Sequence, residues 1–191
     1  MQTRAEALFP HRASRRIELV PASATDGTFR RTLLDTGFES VRTSVPMEET
    51  LRRFDALFLI LRRGTNEVLG FSTLQARSPA GHIRSGIYLD PAKARFGVGS
   101  EATHLTINYA FATFDLEKMI LQTTEASFGG FGTALDPEEQ EGILREHLYF
   151  RGRHWDLHSY KVTRDDWDAC VDRFLDGVLP DTVEWREPPP H

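Results

Sequence analysis

Cysteine is nearly absent from this chain: its 191 residues hold one, Cys170. No internal disulfide can form, which excludes a disulfide-stapled secreted fold and suits a reducing cytoplasm. Long hydrophobic runs are lacking too. The longest, residues 56–61, falls far short of the roughly 18 apolar residues that span a membrane. It has the length of a buried strand, and no membrane partner is expected. The N-terminus carries Arg4, Arg12, Arg15 and Arg16 but no apolar segment, so it does not read as a signal peptide. Positive charge is not in excess. Lys and Arg number 23 against 28 Asp and Glu, a net charge of −5, so a general binder of nucleic-acid backbones is not expected. No segment repeats with a period of about twenty to fifty residues, which rules out solenoids and propellers.

What is present is a chain with 40% hydrophobic residues, enough to bury a core and too many for disorder. Residues 1–15 read as an irregular arm, 16–176 as one domain and 177–191 as a Pro-rich tail. Alternation predicts strands over 16–20, 56–63, 68–77, 82–89, 118–124, 141–151 and 153–162. Helices are expected from Ser23, as cap, to about Thr36, from Pro46 to near Phe54, over 98–114 and over 165–174. In the third helix Val98, Ala102, Leu105, Tyr109 and Ala112 form one stripe. Residues 126–140 carry no clear pattern. Strands outnumber helices and are mostly joined by hairpins, which predicts an α+β sheet with packed helices.

The most informative stretch runs from Asp90 to Ala102. A strand ends, a turn brings Lys93 and Arg95, and Gly97 and Gly99 open a helix. Glycines permit close backbone approach, and the free N–H groups of a helix start attract an anion. The plain alternative is a tight turn before a capped helix. A dinucleotide fingerprint fits poorly because the third glycine is missing. A Walker loop is excluded because no Gly-Lys-Ser/Thr follows.

Two motifs then make the chain resemble the GCN5-related N-acetyltransferase superfamily, in its RimJ/RimL-like branch. One is Tyr88-Leu89-Asp90-Pro91 followed by Gly97-Val98-Gly99-Ser100-Glu101-Ala102. The other is Glu141-Gly142-Ile143-Leu144-Arg145-Glu146, with Gly152, Trp155, Asp156, Tyr160 and Trp167 spaced behind it. The resemblance covers roughly residues 15–168 and implies that family's fold, a mixed, mostly antiparallel sheet with helices on both faces. It implies a V-shaped opening between the fourth and fifth strands. There acetyl-CoA, or another acyl-CoA, pairs its pantetheine with Gly86, Ile87, Tyr88 and Leu89. Its pyrophosphate lies on Phe96, Gly97, Val98, Gly99 and Ser100, beside Lys93 and Arg95. The implied protein is a bacterial, cytoplasmic enzyme, and a homodimer is the assembly the resemblance suggests.

Three departures stand out. The first basic position of the family's loop is Ala94. The strand-four glutamate is replaced by Arg84, read either as a binder of an acidic acceptor group or as a solvated arginine. After strand five the family's Asn and Tyr are missing, and Gly129, Gly130 and Gly132 stand there instead. Each glycine costs about 1 kcal/mol relative to alanine in a helix, so a reshaped loop is expected there.

Glu125, at the exit of strand five, is the candidate general base, and Ser127 the candidate donor to the departing thiolate. Tyr149, His154, Trp155 and Tyr160, with Arg84, are candidate acceptor-binding residues; core packing is the alternative for the aromatics. His154, Asp156 and His158 alternate on one strand face, but the outer two lie about 13 Å apart, too far for one zinc, and no metal is expected. His104 and Asn108 read as structural. The lone Cys170, far along the chain from the cofactor loop, argues against an acyl-cysteine route. The expected function is direct transfer of an acetyl group to a primary amine, either a protein N-terminus or a small amino-acid-like or antibiotic-like amine. The alternatives are a longer acyl-CoA or carrier-protein donor, and a non-catalytic acyl-CoA-binding domain.

Overall fold

The structure, a computed structural model, describes residues 9–23, 25–35, 54–90, 92–94, 97–124, 140–150 and 152–178. Its elements in chain order are β1 (Ile17–Pro21), α1 (Gly27–Asp35), β2 (Phe54–Arg62), β3 (Val68–Ser78), β4 (His82–Leu89), α2 (Val98–Thr113), β5 (Lys118–Thr124), β6 (Gln140–Phe150), β7 (Arg153–Thr163) and α3 (Arg164–Val178). The seven strands form one sheet in the order β1-β2-β3-β4-β5-β7-β6. All neighbours are antiparallel except β4 and β5, which run parallel. This is the α+β architecture expected from the strand pattern.

Both faces of the sheet are covered. Phe58 and Ile60 of β2 join Ile83, Val98, Leu105, Trp167 and Phe174 on the side of α2 and α3. Leu57 and Leu59 turn the other way, onto Phe71 and the fully buried Phe29 of α1. A strand buried on two sides needs a continuous apolar run rather than alternation, which explains the unbroken stretch in β2.

The helix ends have local causes. Asp26, not Ser23, caps α1: its Oδ1 accepts the Thr28 N–H at 2.7 Å. Ser23 makes the preceding turn, its carbonyl accepting from Asp26 N–H at 2.9 Å, so the helix starts later than expected. Thr163 and Asp166 form a reciprocal capping box before α3, with Asp166 N–H on Thr163 Oγ1 at 3.1 Å and Thr163 N–H on Asp166 Oδ2 at 2.9 Å. α2 is buried on more than the single predicted stripe: Glu101, Thr103, Thr106, Asn108 and Ala110 are also enclosed. It is wedged between sheet, α3 and the N-terminal segment.

That segment is fastened from Phe9 onward. His11 N–H donates to Asn108 Oδ1 at 2.9 Å, and Arg15 N–H donates to the Val178 carbonyl at 3.1 Å. α3 runs on through Gly177 and Val178. The helix expected over 46–54 lies outside the described residues except at Phe54, which opens β2. The glycine-rich loop and the Pro-rich tail beyond 178 lie outside them as well.

Candidate functional site

β4 and β5 pair from His82↔Lys118 to Gly86↔Gln122 and no further. Both strands continue past that point. Ile87, Tyr88 and Leu89 stay paired with β3, and Thr123 and Thr124 with β7. The sheet therefore opens into a wedge between two strands that are each held on their far side. Asp90 N–H donates to the Leu69 carbonyl at 2.8 Å. By antiparallel alternation Tyr88 and Gly86 also turn their backbone groups toward β3, while Leu89 turns its own toward the opening. An extended ligand would find a strand edge there.

Below the wedge, Asp90 folds the chain back. Its Oδ1 accepts Ala92 N–H at 2.9 Å, and its carbonyl accepts the N–H groups of Lys93 and Ala94 at 3.0 and 2.8 Å. The turn delivers Gly97 to the start of α2 in the left-handed conformation, φ 85°, with no side-chain cap. The left-handed φ favours glycine there, and a Cβ at 97 would stand 2.5 Å from Arg16 Nη2, a side-chain end that can shift aside. The N–H groups of Val98, Gly99 and Ser100 have no intrahelical acceptor by helix geometry, and the dipole adds positive potential.

Arg16 completes this end. Its Nε lies 2.6 Å from Glu101 Oε1, and Ser14 Oγ donates to Glu101 Oε2 at 2.5 Å. Lys93 is occupied otherwise: its ammonium lies 3.5 Å from Asp90 Oδ2 and 3.9 Å from Asp35 Oδ2. Arg95 and Phe96 lie outside the described residues. Among the described residues, the cation found against the helix start is Arg16, one of the N-terminal arginines that the sequence reads either as contacts to the cofactor's phosphates or as a solvated arm.

Ser100 faces His104. The His104 Nδ1 sits 2.7 Å from the Ser100 carbonyl, so Nδ1 carries the proton. The ring stacks on Phe174 at 6.1 Å. Burial, above all, holds its pKa below the ordinary histidine value, and a neutral ring bridging α2 and α3 is a structural part.

The predicted acceptor residues do not gather in one place. Tyr149 and His154 touch, ring to ring, at 5.0 Å, and Arg153 lies over Trp155 at 3.5 Å. This group sits toward the tip of the β6–β7 hairpin, beyond the last β5 pair, Thr124↔Leu157. Tyr160 packs instead in the core beside α2 and α3. Arg84 is exposed, in register with Gln75 and Ile120. The His154, Asp156, His158 row forms no metal cluster among the described residues. Asp156 is committed elsewhere, its Oδ1 accepting Glu146 N–H at 2.8 Å and its Oδ2 lying 3.3 Å from Arg145 Nη1. Glu125 and Ser127 follow β5 directly but lie outside the described residues.

No protein-family model matches the sequence. No curated protein matches it either. Solved structures do. A GCN5-related N-acetyltransferase from Brucella melitensis is 22% identical, with 87% of this chain and 86% of that chain covered and a TM-score of 0.55. A probable GNAT-family acetyltransferase from Chromobacterium violaceum is 17% identical over 83% and 89% of the two chains, TM-score 0.55. The spermidine/spermine N-acetyltransferase SpeG from Vibrio cholerae, in complex with manganese ions, is 15% identical over 81% and 96%, TM-score 0.58. The mixed sheet, the wedge between its two parallel strands and these likenesses agree: the chain has the fold of the GCN5-related N-acetyltransferases.

Proposed function

We propose that the protein is an acyl-CoA-dependent N-acyltransferase of the RimJ/RimL-like kind, moving an acetyl group to a primary amine. The observation that carries this reading is the end of β4–β5 pairing at Gly86↔Gln122 beside an uncapped helix start. The residues fit the donor. Leu89 offers backbone groups to a pantetheine arm. The amides of Val98, Gly99 and Ser100, with Arg16 beside Gly97, suit a pyrophosphate. Acetyl-CoA, when bound, supplies the activated acyl carbon.

The chain's own task is to place a neutral amine against that carbon and to manage charge and protons. A C–N bond forms, the C–S bond breaks, the amine gives up a proton and the thiolate takes one. Glu125, next after Thr124, is the proposed base, and Ser127 the proposed donor to sulfur. The acceptor is an amino-acid-like amine or a protein N-terminus. The net charge of −5 favours a cationic acceptor at long range, and the exposed Arg84 suits a nearby carboxylate. SpeG's polyamine acceptors make small amines the first to try.

Release of free CoA thiol, followed across a panel of amines with acetyl-CoA, tests the reading. Turnover with any primary amine supports it. Tight CoA binding without turnover for every donor and amine would replace it with a non-catalytic acyl-CoA-binding domain.

A further inference from the structure

β4 and β5 are sealed on one face and accessible on the other. Ile83, Ile87, Met119 and Leu121 are buried on the side of α2 and α3. Ser85 and Thr123 share that face by alternation and are buried with them. The residues between them turn to the side of α1. There Arg84 is exposed, and Ile120 and Gln122 are half-buried. The donor's phosphates belong at the start of α2, on the sealed side. A thioester that reaches the wedge from there meets an amine arriving over the accessible face.

Register sorts that face into rows that cross the strands. One row runs Arg84, Ile120, Lys161. The next runs Gly86, Gln122, Ser159 and is the last before β4 and β5 part. Two residues of strand rise set the rows about 7 Å apart. The first row carries two cations. Arg84 has no ion pair among the described residues, and Glu141 of β6 is held by Lys118 at 2.7 Å. The second row is polar and uncharged. Gln122 Nε2 donates to Ser159 Oγ at 3.4 Å. That contact turns the amide nitrogen toward β7 and leaves the amide oxygen as an acceptor beside the opening. The Tyr88 ring leans over Gly86 and bounds this row on the β4 side.

Resting on the acyl-CoA reading above, we propose that these two rows select an amine that carries its own carboxylate. Arg84, with the charge of Lys161 beside it, takes the carboxylate. Gln122 Oε1 accepts one N–H of the amine in the next row, which leaves the nitrogen lone pair for the acyl carbon in the opening. The acceptor is thus a free amino acid or a close analogue. A polyamine would bring a second ammonium against two cations. A protein N-terminus would leave Arg84 without a carboxylate.

Three matched acceptors test this with acetyl-CoA and thiol release: an amino acid, its carboxamide as the mimic of a protein N-terminus, and its decarboxylated amine. The amino acid is expected to show a kcat/KM about tenfold or more above the other two. Arg84→Gln changes an exposed position and should bring the three within about twofold by raising KM for the amino acid alone. Gln122→Met keeps the length and removes the acceptor. It should lower kcat/KM about tenfold for all three acceptors while CoA binding stays within about twofold. Gln122→Glu restores an acceptor oxygen. It should regain turnover with a pH profile moved upward, because a carboxylate there favours the ammonium form of the acceptor. If amines are turned over but the carboxamide or the decarboxylated amine is preferred, or Arg84→Gln leaves the ratios unchanged, the assignment is overturned and the acyl-CoA reading stands. If no amine of any kind is turned over, both fall together.

Discussion

Arg16 and Glu101 lie 85 positions apart in the chain and 2.6 Å apart in space, Nε to Oε1. The carboxylate is enclosed and also takes the Ser14 hydroxyl. It anchors the N-terminal segment to the first turn of α2 and holds a guanidinium over Gly97. Arg16→Met is expected to weaken CoA binding roughly tenfold, and the loss should shrink as salt is raised, since the guanidinium is half exposed and screened. Titration of CoA at low and high ionic strength checks this. An equal loss at both would mean that Arg16 acts through packing.

Glu101→Ala removes the shared acceptor of two groups, one of them the buried Ser14. A destabilisation of about 1–3 kcal/mol follows from the stranded partners. The urea midpoint measures it. Ser14→Ala added to Glu101→Ala should cost about 1 kcal/mol more, because Ser14 Oγ also accepts the buried Ile17 N–H at 3.0 Å.

His104 sets a pH dependence. Its folded-state pKa lies below the ordinary value, chiefly through burial. The unfolded chain therefore binds a proton before the folded one does. Stability is retained above the ordinary histidine pKa of about 6.5 and falls as the solution is acidified below it. Urea midpoints between pH 7.5 and 5.5 should drop, and His104→Asn should flatten that part of the slope. A midpoint that rises on acidification would reverse the sign and refute the assignment.

Asp156 fastens a bulge in the edge strand. The β6–β7 register slips between Leu144 and Leu148, and Glu146 adopts a φ of 49° with its N–H on Asp156 Oδ1. Asp156→Ala should speed amide exchange at Glu146 and lower stability by about 1 kcal/mol. Asp156→Asn keeps an acceptor and should lose less. Bulges of this kind also spoil a flat edge for pairing with another chain.

Thr123 and Thr124 end β5 at the wedge with buried hydroxyls that have no hydrogen-bond partner among the described residues. In the free protein, Thr123→Val should stabilise by about 1 kcal/mol, because the desolvated oxygen disappears and the shape stays. A thermal midpoint that falls instead would show that the hydroxyl is satisfied in solution.

The amino-acid sequence by itself determined the elements with strong local causes. The expected β4 and β5 coincide with His82–Leu89 and Lys118–Thr124, because their apolar runs end at a proline turn and at charged or polar breaks. α2 begins at Val98 as read, because a glycine in the left-handed conformation can only precede it. α1 shows where local reading stops: Ser23 and Asp26 are both good caps, and the register that buries Phe29 on Phe71 selects Asp26.

What only the tertiary structure decided is the company each side chain keeps. The sequence puts Lys93 and Arg95 beside the anion loop; the structure shows Lys93 at 3.5 Å from Asp90 and 3.9 Å from Asp35, and brings Arg16 to Gly97 from the N-terminal end of the domain. It lists Tyr160 beside Tyr149 and His154, yet Tyr160 pairs with Leu121 well inside the sheet and packs in the core under α2 and α3, while Tyr149 and His154 lie at a hairpin tip beyond the end of β5. Hydrogen-bond geometry and apolar periodicity act over a few residues and are written along the chain. Ion pairs and ring contacts depend on which strands lie side by side, and that order emerges only when the whole sheet closes its two cores at once.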